Sequence, residues 1–134
     1  RAPISVKPGL YVIGEPKDDS PVLMTTNYAL TFHILTNDLR NQNVNCYLLV
    51  VDTGGLSVAC SVAGNKLKPE YIKQIIEETN LEVKVSHKTL VIPGRAAKLA
   101  GEIEDSTSWR VLIGPFSSKD IADFLTKHYF YSRS

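Results

Sequence analysis

The chain has 134 residues, of which 43% are hydrophobic and 22% are charged. This length is typical of one domain with a single core, and the composition is that of a globular protein rather than a disordered or fibrous one. The formal net charge of +1 excludes the strong imbalance typical of proteins that bind nucleic acid or anionic membranes. We therefore expect a single domain over residues 1–134 and no nucleic-acid partner.

The longest strongly apolar run covers residues 47–51. It is far shorter than the roughly twenty apolar residues that span a bilayer, so we predict no membrane segment in this chain. The chain starts at Arg1 without the apolar centre of a signal peptide, which favours a fragment of a longer chain. Cys46 and Cys60 lack the number and spacing of a disulfide scaffold or a zinc site. A cytoplasmic location is the expectation, with Cys46 as a small buried hydrophobe.

The first half of the chain predicts strands and one helix. Residues 26–27 are a threonine and an asparagine, which cap helices well and predict the start of that helix. The Asp-Thr-Gly-Gly stretch at 52–55 predicts a tight turn between two strands. In chain order, the patterns predict an edge strand within 7–14, a strand at 22–26, a helix that closes at 40–43, a buried strand at 46–51 and a further strand at 56–60.

The second half continues the alternation. Pro69 at a first helical turn and a capping-box pattern at Ser117 and Asp120 mark two helix starts. In chain order, the patterns predict a helix from 69 to 79–80, a strand at 88–92, a short helix at 96–103, a strand at 110–113 and a last helix from 117. This alternation predicts an α/β fold, namely a Rossmann-like three-layer domain with a largely parallel central sheet.

The loops that follow the strands are the candidate binding residues, because ligands of open α/β sheets bind beyond the carboxyl ends of the strands. These loops consist of Gly, Pro, Ala, Ser, Thr and Asn with almost no charge, and such residues permit close approach of the backbone to a ligand. Neither G-x-G-x-x-G nor G-x-x-x-x-G-K-[ST] occurs, which disfavours a nucleotide site. The three histidines lie in unrelated settings, so we assign no catalytic residue.

Four ordered blocks carry a resemblance to a known family. They read PVLMTTNY at 21–28, LLVVDTGGLSV at 48–58, VSHKTLVIPG at 85–94 and VLIGP at 111–115. They resemble the C-terminal corrinoid-binding domain of the large (gamma) subunit of the corrinoid/iron–sulfur protein of the acetyl-CoA pathway, in the CO dehydrogenase/acetyl-CoA synthase system. The likeness covers residues 8–125. With the opening Pro8-Gly9-Leu10-Tyr11, the blocks are also similar to the corrinoid domain of the mercury-methylating membrane protein.

The resemblance implies a methyl carrier of one-carbon metabolism that binds cobalamin with its tail detached from cobalt. Its partners would be a methyltransferase, a methyl-acceptor enzyme and a small corrinoid-protein subunit, and the iron–sulfur cluster would lie outside this chain. The chain would be a component of a methyltransferase system rather than an enzyme alone. The cofactor-binding residues implied by the resemblance are Thr25, Thr26, Asn27, Ala29, Ser57, Cys60, Ser61, Ala63, Gly64, Asn65, Lys66, Pro93, Gly94, Gly114 and Pro115.

Cys60 lies where the acetyl-CoA-pathway family presents a threonine near cobalt and the mercury-methylating family has the cysteine of its N-V-W-C-A-A-G-K motif. Residues 57–66 match neither motif fully, so two interpretations stay open: an axial cobalt ligand and a buried inert thiol. Two other functions also stay open. One is a small nucleotide-binding or regulatory α/β domain, and the other is an interaction module that keeps the fold without the corrinoid.

Overall fold

The computed structural model describes residues 5–130. The opening residues 1–4, on which the expectation of a fragment partly rests, lie outside the described residues, as do residues 131–134. In chain order, the elements are β1 (Gly9–Ile13), β2 (Val22–Thr26), α1 (Ala29–Asn41), β3 (Cys46–Val51), α2 (Val58–Ala63), α3 (Pro69–Glu78), α4 (Leu81–Lys84), β4 (Thr89–Ile92), a 3-10 helix (Gly94–Leu99), α5 (Ala100–Thr107), β5 (Arg110–Ile113), a 3-10 turn (Ser118–Asp120), α6 (Ile121–Phe124) and a π-helical segment (Leu125–Phe130).

The five strands form one sheet in the order β1-β3-β2-β4-β5. Strand β1 is antiparallel to β3 at one edge, and the other neighbouring strands are parallel. The predictions of an edge strand near the start of the chain and of a largely parallel sheet are therefore confirmed. Because β3 and β4 lie on opposite sides of β2, the strand order reverses there, and β2 and β4 form a topological switch point.

Two hydrophobic clusters cover the two faces of the sheet, which confirms the three-layer fold. Alternate residues of the buried strands enter opposite clusters, since successive side chains of a strand point to opposite faces. Met24 enters one cluster, for example, whereas Leu23 enters the other. One cluster is closed by α2, α3 and α5 through residues such as Val58, Ile72 and Ile103. The other is closed by α1 and the C-terminal helical segments through residues such as Leu39, Ile121 and Leu125.

Strands β2 and β4 are paired over only part of their length. Their register contains two pairs, Val22 with Leu90 and Leu23 with Val91, whereas the register of β2 with β3 continues to Thr26 and Val51. The carboxyl-terminal part of β2 therefore runs past its pairs with β4. This separation opens the sheet at the switch point, on the side where ligands of this fold class bind.

Three details of the sequence-based prediction are wrong. Residues 56–60 do not form a strand, because the chain turns at residues 52–57 and then forms helix α2. Residues 26–27 do not cap α1: the N-cap of that helix is Tyr28, which makes no side-chain cap hydrogen bond. In the predicted capping box, the Ser117 side chain accepts a hydrogen bond from the Lys119 N–H, where a capping box would use the N–H of residue 120. The short helix α4 was not predicted.

Strand β5 forms the second edge of the sheet. Its Val111 N–H donates a 2.8 Å hydrogen bond to the Glu104 side chain of the preceding helix α5. A carboxylate thus occupies an N–H group of an edge strand, a class of group that otherwise offers itself to another chain. Across residues 5–130, no helix is both long and apolar enough to cross a bilayer.

Candidate functional site

A cleft of about 330 Å³ opens at the carboxyl ends of β2 and β4. Its walls come from the carboxyl ends of β2 and β4, helix α1, the start of α2, and the segment from the loop after β5 to the start of α6. It therefore lies at the switch point, where an open α/β sheet is expected to bind a ligand. The volume is at the lower end of the ~300–1,000 Å³ common for ligand pockets.

Thr25 provides a buried hydroxyl in the cleft wall. Its side chain is 1% exposed, and its Oγ1 has no hydrogen-bond partner among the described residues. The separation of β2 from β4 explains this position, since Thr25 lies beyond the last registered pair of the two strands. An unpaired buried hydroxyl costs free energy unless something in the cleft bonds to it. The neighbouring Thr26 also has a buried unpartnered Oγ1, but Thr26 does not line the cleft.

Asn27 holds the turn that brings α2 to the cleft. Its Oδ1 accepts hydrogen bonds from the Thr53 N–H at 2.9 Å and the Gly55 N–H at 3.1 Å. Its Nδ2 donates to the Asp52 carboxylate and to the Val6 carbonyl, each at 3.3 Å. The side chain is 4% exposed, and its polar atoms are engaged within the protein. In this structure, Asn27 therefore positions the loop after β3.

Helix α2 starts where that turn ends. The Ser57 side chain accepts a 3.2 Å hydrogen bond from the Cys60 N–H and so caps the helix, as expected of serine at an N-cap. Ser61 is fully buried, and its Oγ donates to the Val58 carbonyl at 2.9 Å. Ser57, Val58 and Ala59 line the cleft. The first turn of α2 therefore faces the cleft, while its second turn leads away.

Gly94 and Gly114 bring the loops after β4 and β5 together. A Cβ atom on Gly94 would lie 2.9 Å from the Gly114 carbonyl oxygen, and one on Gly114 would lie 3.1 Å from the Ile92 carbonyl oxygen. The contact at Gly94 is too short for any Cβ atom, so this position needs glycine to let the two loops meet. A Cβ atom on Gly114 would require its neighbours to shift by a few tenths of an ångström. Both glycines line the cleft, as do Pro93 and Pro115. The small size of the two glycines permits the contact between the loops, and it would also permit close approach of a ligand to the backbone.

The structure brings together six of the fifteen candidate binding residues. The six that line the cleft are Thr25, Ser57, Pro93, Gly94, Gly114 and Pro115. Thr26, Asn27 and Ser61 are buried outside it, and Ala29 begins helix α1. Cys60, Ala63, Gly64, Asn65 and Lys66 lie on exposed surface along α2 and just after it. Contact between these residues and a cofactor stays a prediction.

The two cysteines lie in different environments. Cys60 is exposed and is not among the residues that line the cleft, so the interpretation of a buried inert thiol is wrong. Cobalt ligation by Cys60 stays a prediction. Cys46 is fully buried in β3, and burial raises its pKa to about 12. The expectation that Cys46 is a buried hydrophobe is confirmed.

Several cleft residues were not predicted from the sequence. Helix α1 contributes Thr31, Ile34 and Leu35, and the loops contribute Arg95 and Phe116. Ile34 and Phe116 are 51% and 74% exposed, so the mouth of the cleft carries apolar side chains open to solvent. Helical spacing placed Ile34 on an apolar face, but spacing alone does not separate core from a ligand-facing surface. Among residues 5–130, no group of three or more His, Cys, Asp or Glu side chains could hold a metal ion.

The fold and cleft define a class: a Rossmann-like α/β domain with a mostly apolar site at its topological switch point. The chain belongs to the CO dehydrogenase/acetyl-CoA synthase delta subunit family, whose sequence model matches residues 1–125. This match confirms the predicted link to the CO dehydrogenase/acetyl-CoA synthase system at the level of the family.

Curated relatives carry the name acetyl-CoA decarbonylase/synthase complex subunit gamma. The Methanopyrus kandleri protein is 51% identical over 127 residues, which are 95% of this chain and 28% of that protein. The Methanocaldococcus jannaschii protein is 46% identical over 96% of this chain and 26% of its own length. The Archaeoglobus fulgidus protein is 47% identical over 96% of this chain and 27% of its own length. The chain thus spans about a quarter of the length of these relatives.

Proposed function

We propose that residues 1–134 form one corrinoid-binding domain of a longer cytoplasmic protein, and that this domain carries a methyl group between a methyltransferase and an acceptor enzyme. Its ligand is base-off cobalamin. The relatives are named as subunits of an acetyl-CoA decarbonylase/synthase complex, which supports a role in acetyl-CoA metabolism with protein partners. A small corrinoid-protein subunit would be one of these partners. When bound, the corrinoid supplies a cobalt centre able to accept and donate a methyl group, and the protein supplies position and surroundings.

The observation that carries the proposal is the open apolar cleft with the Thr25 hydroxyl in its wall. The mouth of this cleft carries the exposed apolar side chains of Ile34 and Phe116, against which a flat macrocycle would pack. The volume of about 330 Å³ suits one bicyclic base better than a whole cobalamin, since it lies near the ~300 Å³ lower limit of ligand pockets. The detached tail would therefore enter the cleft, while the corrin ring would lie over its mouth.

The chemistry of the walls fits this arrangement. Apolar residues such as Ile34, Leu35 and Phe116 match the faces of an aromatic base and of the macrocycle. Exposed apolar side chains at the mouth would be covered by the ring, which would remove them from water. The buried Thr25 hydroxyl would gain a partner in a polar atom of the tail. The surface of α2 that carries Cys60 is the candidate for the cobalt-facing side.

The test compares two isosteric substitutions of neighbouring threonines. Thr25→Val removes the unpartnered hydroxyl inside the cleft, and Thr26→Val removes an equally buried one outside it. Because both hydroxyls lack partners, neither change should destabilise the free chain. Cobalamin affinity, measured by visible absorption titration, should fall by about fivefold to tenfold in Thr25→Val, which corresponds to one hydrogen bond of ~1 kcal/mol. It should be unchanged in Thr26→Val.

The wild-type titration separates the proposal from its rivals. A chain that binds cobalamin and becomes coloured supports the corrinoid domain. A chain that ignores cobalamin but binds a nucleotide would support the nucleotide-binding alternative, and one that binds neither would support the interaction module. Equal effects of the two threonine substitutions would show that the tail does not reach Thr25.

A further inference from the structure

Arg95 is the one charged side chain among the residues that line the cleft. It follows Gly94, at the start of the 3-10 helix after β4, and it is exposed. The remaining lining residues are apolar, small or hydroxylic. Cobalamin itself is almost free of ionised groups at its periphery, where its amide side chains are neutral. A single cation at the edge of an uncharged cleft indicates a ligand with a single anionic group near that edge.

The guanidinium of Arg95 is held in place without being neutralised. It lies 5.6 Å from the centre of the Phe116 ring, within the range of a cation–π contact. Neither of the two ion pairs found within residues 5–130 includes it. A guanidinium that lies over an aromatic ring can still donate from its N–H groups, and these donors match the oxygens of a phosphate. Arg95 is therefore oriented and available.

The surface next to Arg95 favours an anion as well. A shallow depression between α2 and the 3-10 helix shares Gly94, Arg95 and Phe116 with the cleft. It adds Lys98, and no carboxylate is among its lining residues. Two positive side chains thus flank one edge of the cleft with no acidic group in either wall. An anion at this edge would meet attraction from both cations and no repulsion from the walls.

We propose that Arg95 binds the phosphodiester of the ligand's nucleotide tail and so selects corrinoids that carry a complete tail. This inference rests on the proposed function. The phosphodiester is the anionic link between the corrin ring and the base. With the base in the cleft and the ring over the mouth, that link crosses the edge of the cleft. Arg95 lies on this edge, with Lys98 as a more distant positive charge.

The experiment measures dissociation constants of the 134-residue chain for cobalamin and for cobinamide, which lacks the phosphate, ribose and base. Arg95→Gln removes the charge at similar size, and Arg110→Gln is the matched control. Arg110 is also exposed, but it begins β5 at the opposite end of that strand from the cleft. Each constant is measured over a series of salt concentrations, with inorganic phosphate as a competitor in a separate arm.

We expect Arg95→Gln to weaken cobalamin binding about tenfold, as for loss of one charged hydrogen bond at a solvent-accessible site. Cobinamide binding should be unaffected, and Arg110→Gln should change neither. The salt dependence of cobalamin binding should be smaller in Arg95→Gln, because screening acts on the charge pair that the change removes. Inorganic phosphate should weaken cobalamin binding to the wild type and not to Arg95→Gln.

Three results would overturn the inference while leaving the proposed function intact. The first is unchanged cobalamin affinity and salt dependence in Arg95→Gln. The second is an equal loss of affinity for cobinamide, which would make Arg95 a contact to the ring. The third is binding of inorganic phosphate at Arg95 that does not compete with cobalamin, which would mean that Arg95 binds free phosphate and not the tail of the ligand. A wild-type chain that binds neither corrinoid would instead refute the proposed function itself.

Discussion

Replacement of Asn27 by alanine would remove the side chain that fixes the turn between β3 and α2. Two backbone donors depend on it, the Thr53 N–H and the Gly55 N–H, and both residues are buried. Each buried donor left without a partner costs about 1–3 kcal/mol. We therefore expect Asn27→Ala to lower the free energy of unfolding by about 2–5 kcal/mol, a large part of the ~5–15 kcal/mol typical of a domain.

Denaturant unfolding followed by circular dichroism measures this loss, which should appear as a lower midpoint with an unchanged slope. Asn37→Ala is the matched control, because Asn37 is an exposed residue of α1. Its replacement should change stability by less than ~0.5 kcal/mol. A loss below about 1 kcal/mol in Asn27→Ala, or an equal loss in both variants, would refute the reasoning from the buried donors.

Four further predictions concern stability. Gly94→Ala should lower the free energy of unfolding by about 1–3 kcal/mol, because the new Cβ would meet the Gly114 carbonyl oxygen at 2.9 Å. Gly101→Ala, with open space at the helical position, should raise it by about 0.5–1 kcal/mol. Ser57→Ala should lower it by about 1 kcal/mol through loss of the α2 cap. Burial raises the pKa of Cys46 from 9.0 to about 12, so between these pH values the thiol ionises in the unfolded chain and not in the folded one. The free energy of unfolding should therefore fall as pH rises through this range, and Cys46→Ala should lack that part of the fall.

Chemical unfolding measures all of these differences. Equal effects of the two glycine substitutions would contradict the close contact between the loops after β4 and β5. An unchanged stability in Ser57→Ala would show that the capping hydrogen bond contributes nothing. The same alkaline fall in the wild type and in Cys46→Ala would assign that fall to other groups.

The strand pattern was predictable because the buried strands contain apolar runs of three or more residues, the longest being residues 46–51. Those runs and the helices between them are local signals, and they sufficed for the α/β class. The loops at the strand ends were predictable for the same reason, and Pro93, Gly94, Gly114 and Pro115 do line the cleft. The edge that holds the cleft was predictable because the carboxyl ends of parallel strands lie together at one edge of a sheet.

The remaining features of the fold and the cleft were not predictable, because they depend on contacts between residues that are far apart in the sequence. The segment from Leu56 to Cys60 is too short to distinguish the residue spacing of a strand from that of a helix. Helix α2 begins within this segment because the Ser57 side chain caps the first turn. Asn27 looked like a helix cap, but its partners lie 26 and 28 residues further along. Arg95 carried no signal of its own, since it stands out only because no other charged residue is among those that line the cleft.

The hydrogen bond between the Glu104 carboxylate and the Val111 N–H has a consequence for solubility. An outer strand with free donors can recruit a strand from a neighbouring molecule and so begin a growing sheet. Here a strand from a second molecule would first have to displace the Glu104 carboxylate from the Val111 N–H and would then lie beside its negative charge. The protein therefore protects the Val111 position of its outer strand with one acidic residue from the neighbouring helix, without any charged side chain at Val111 itself.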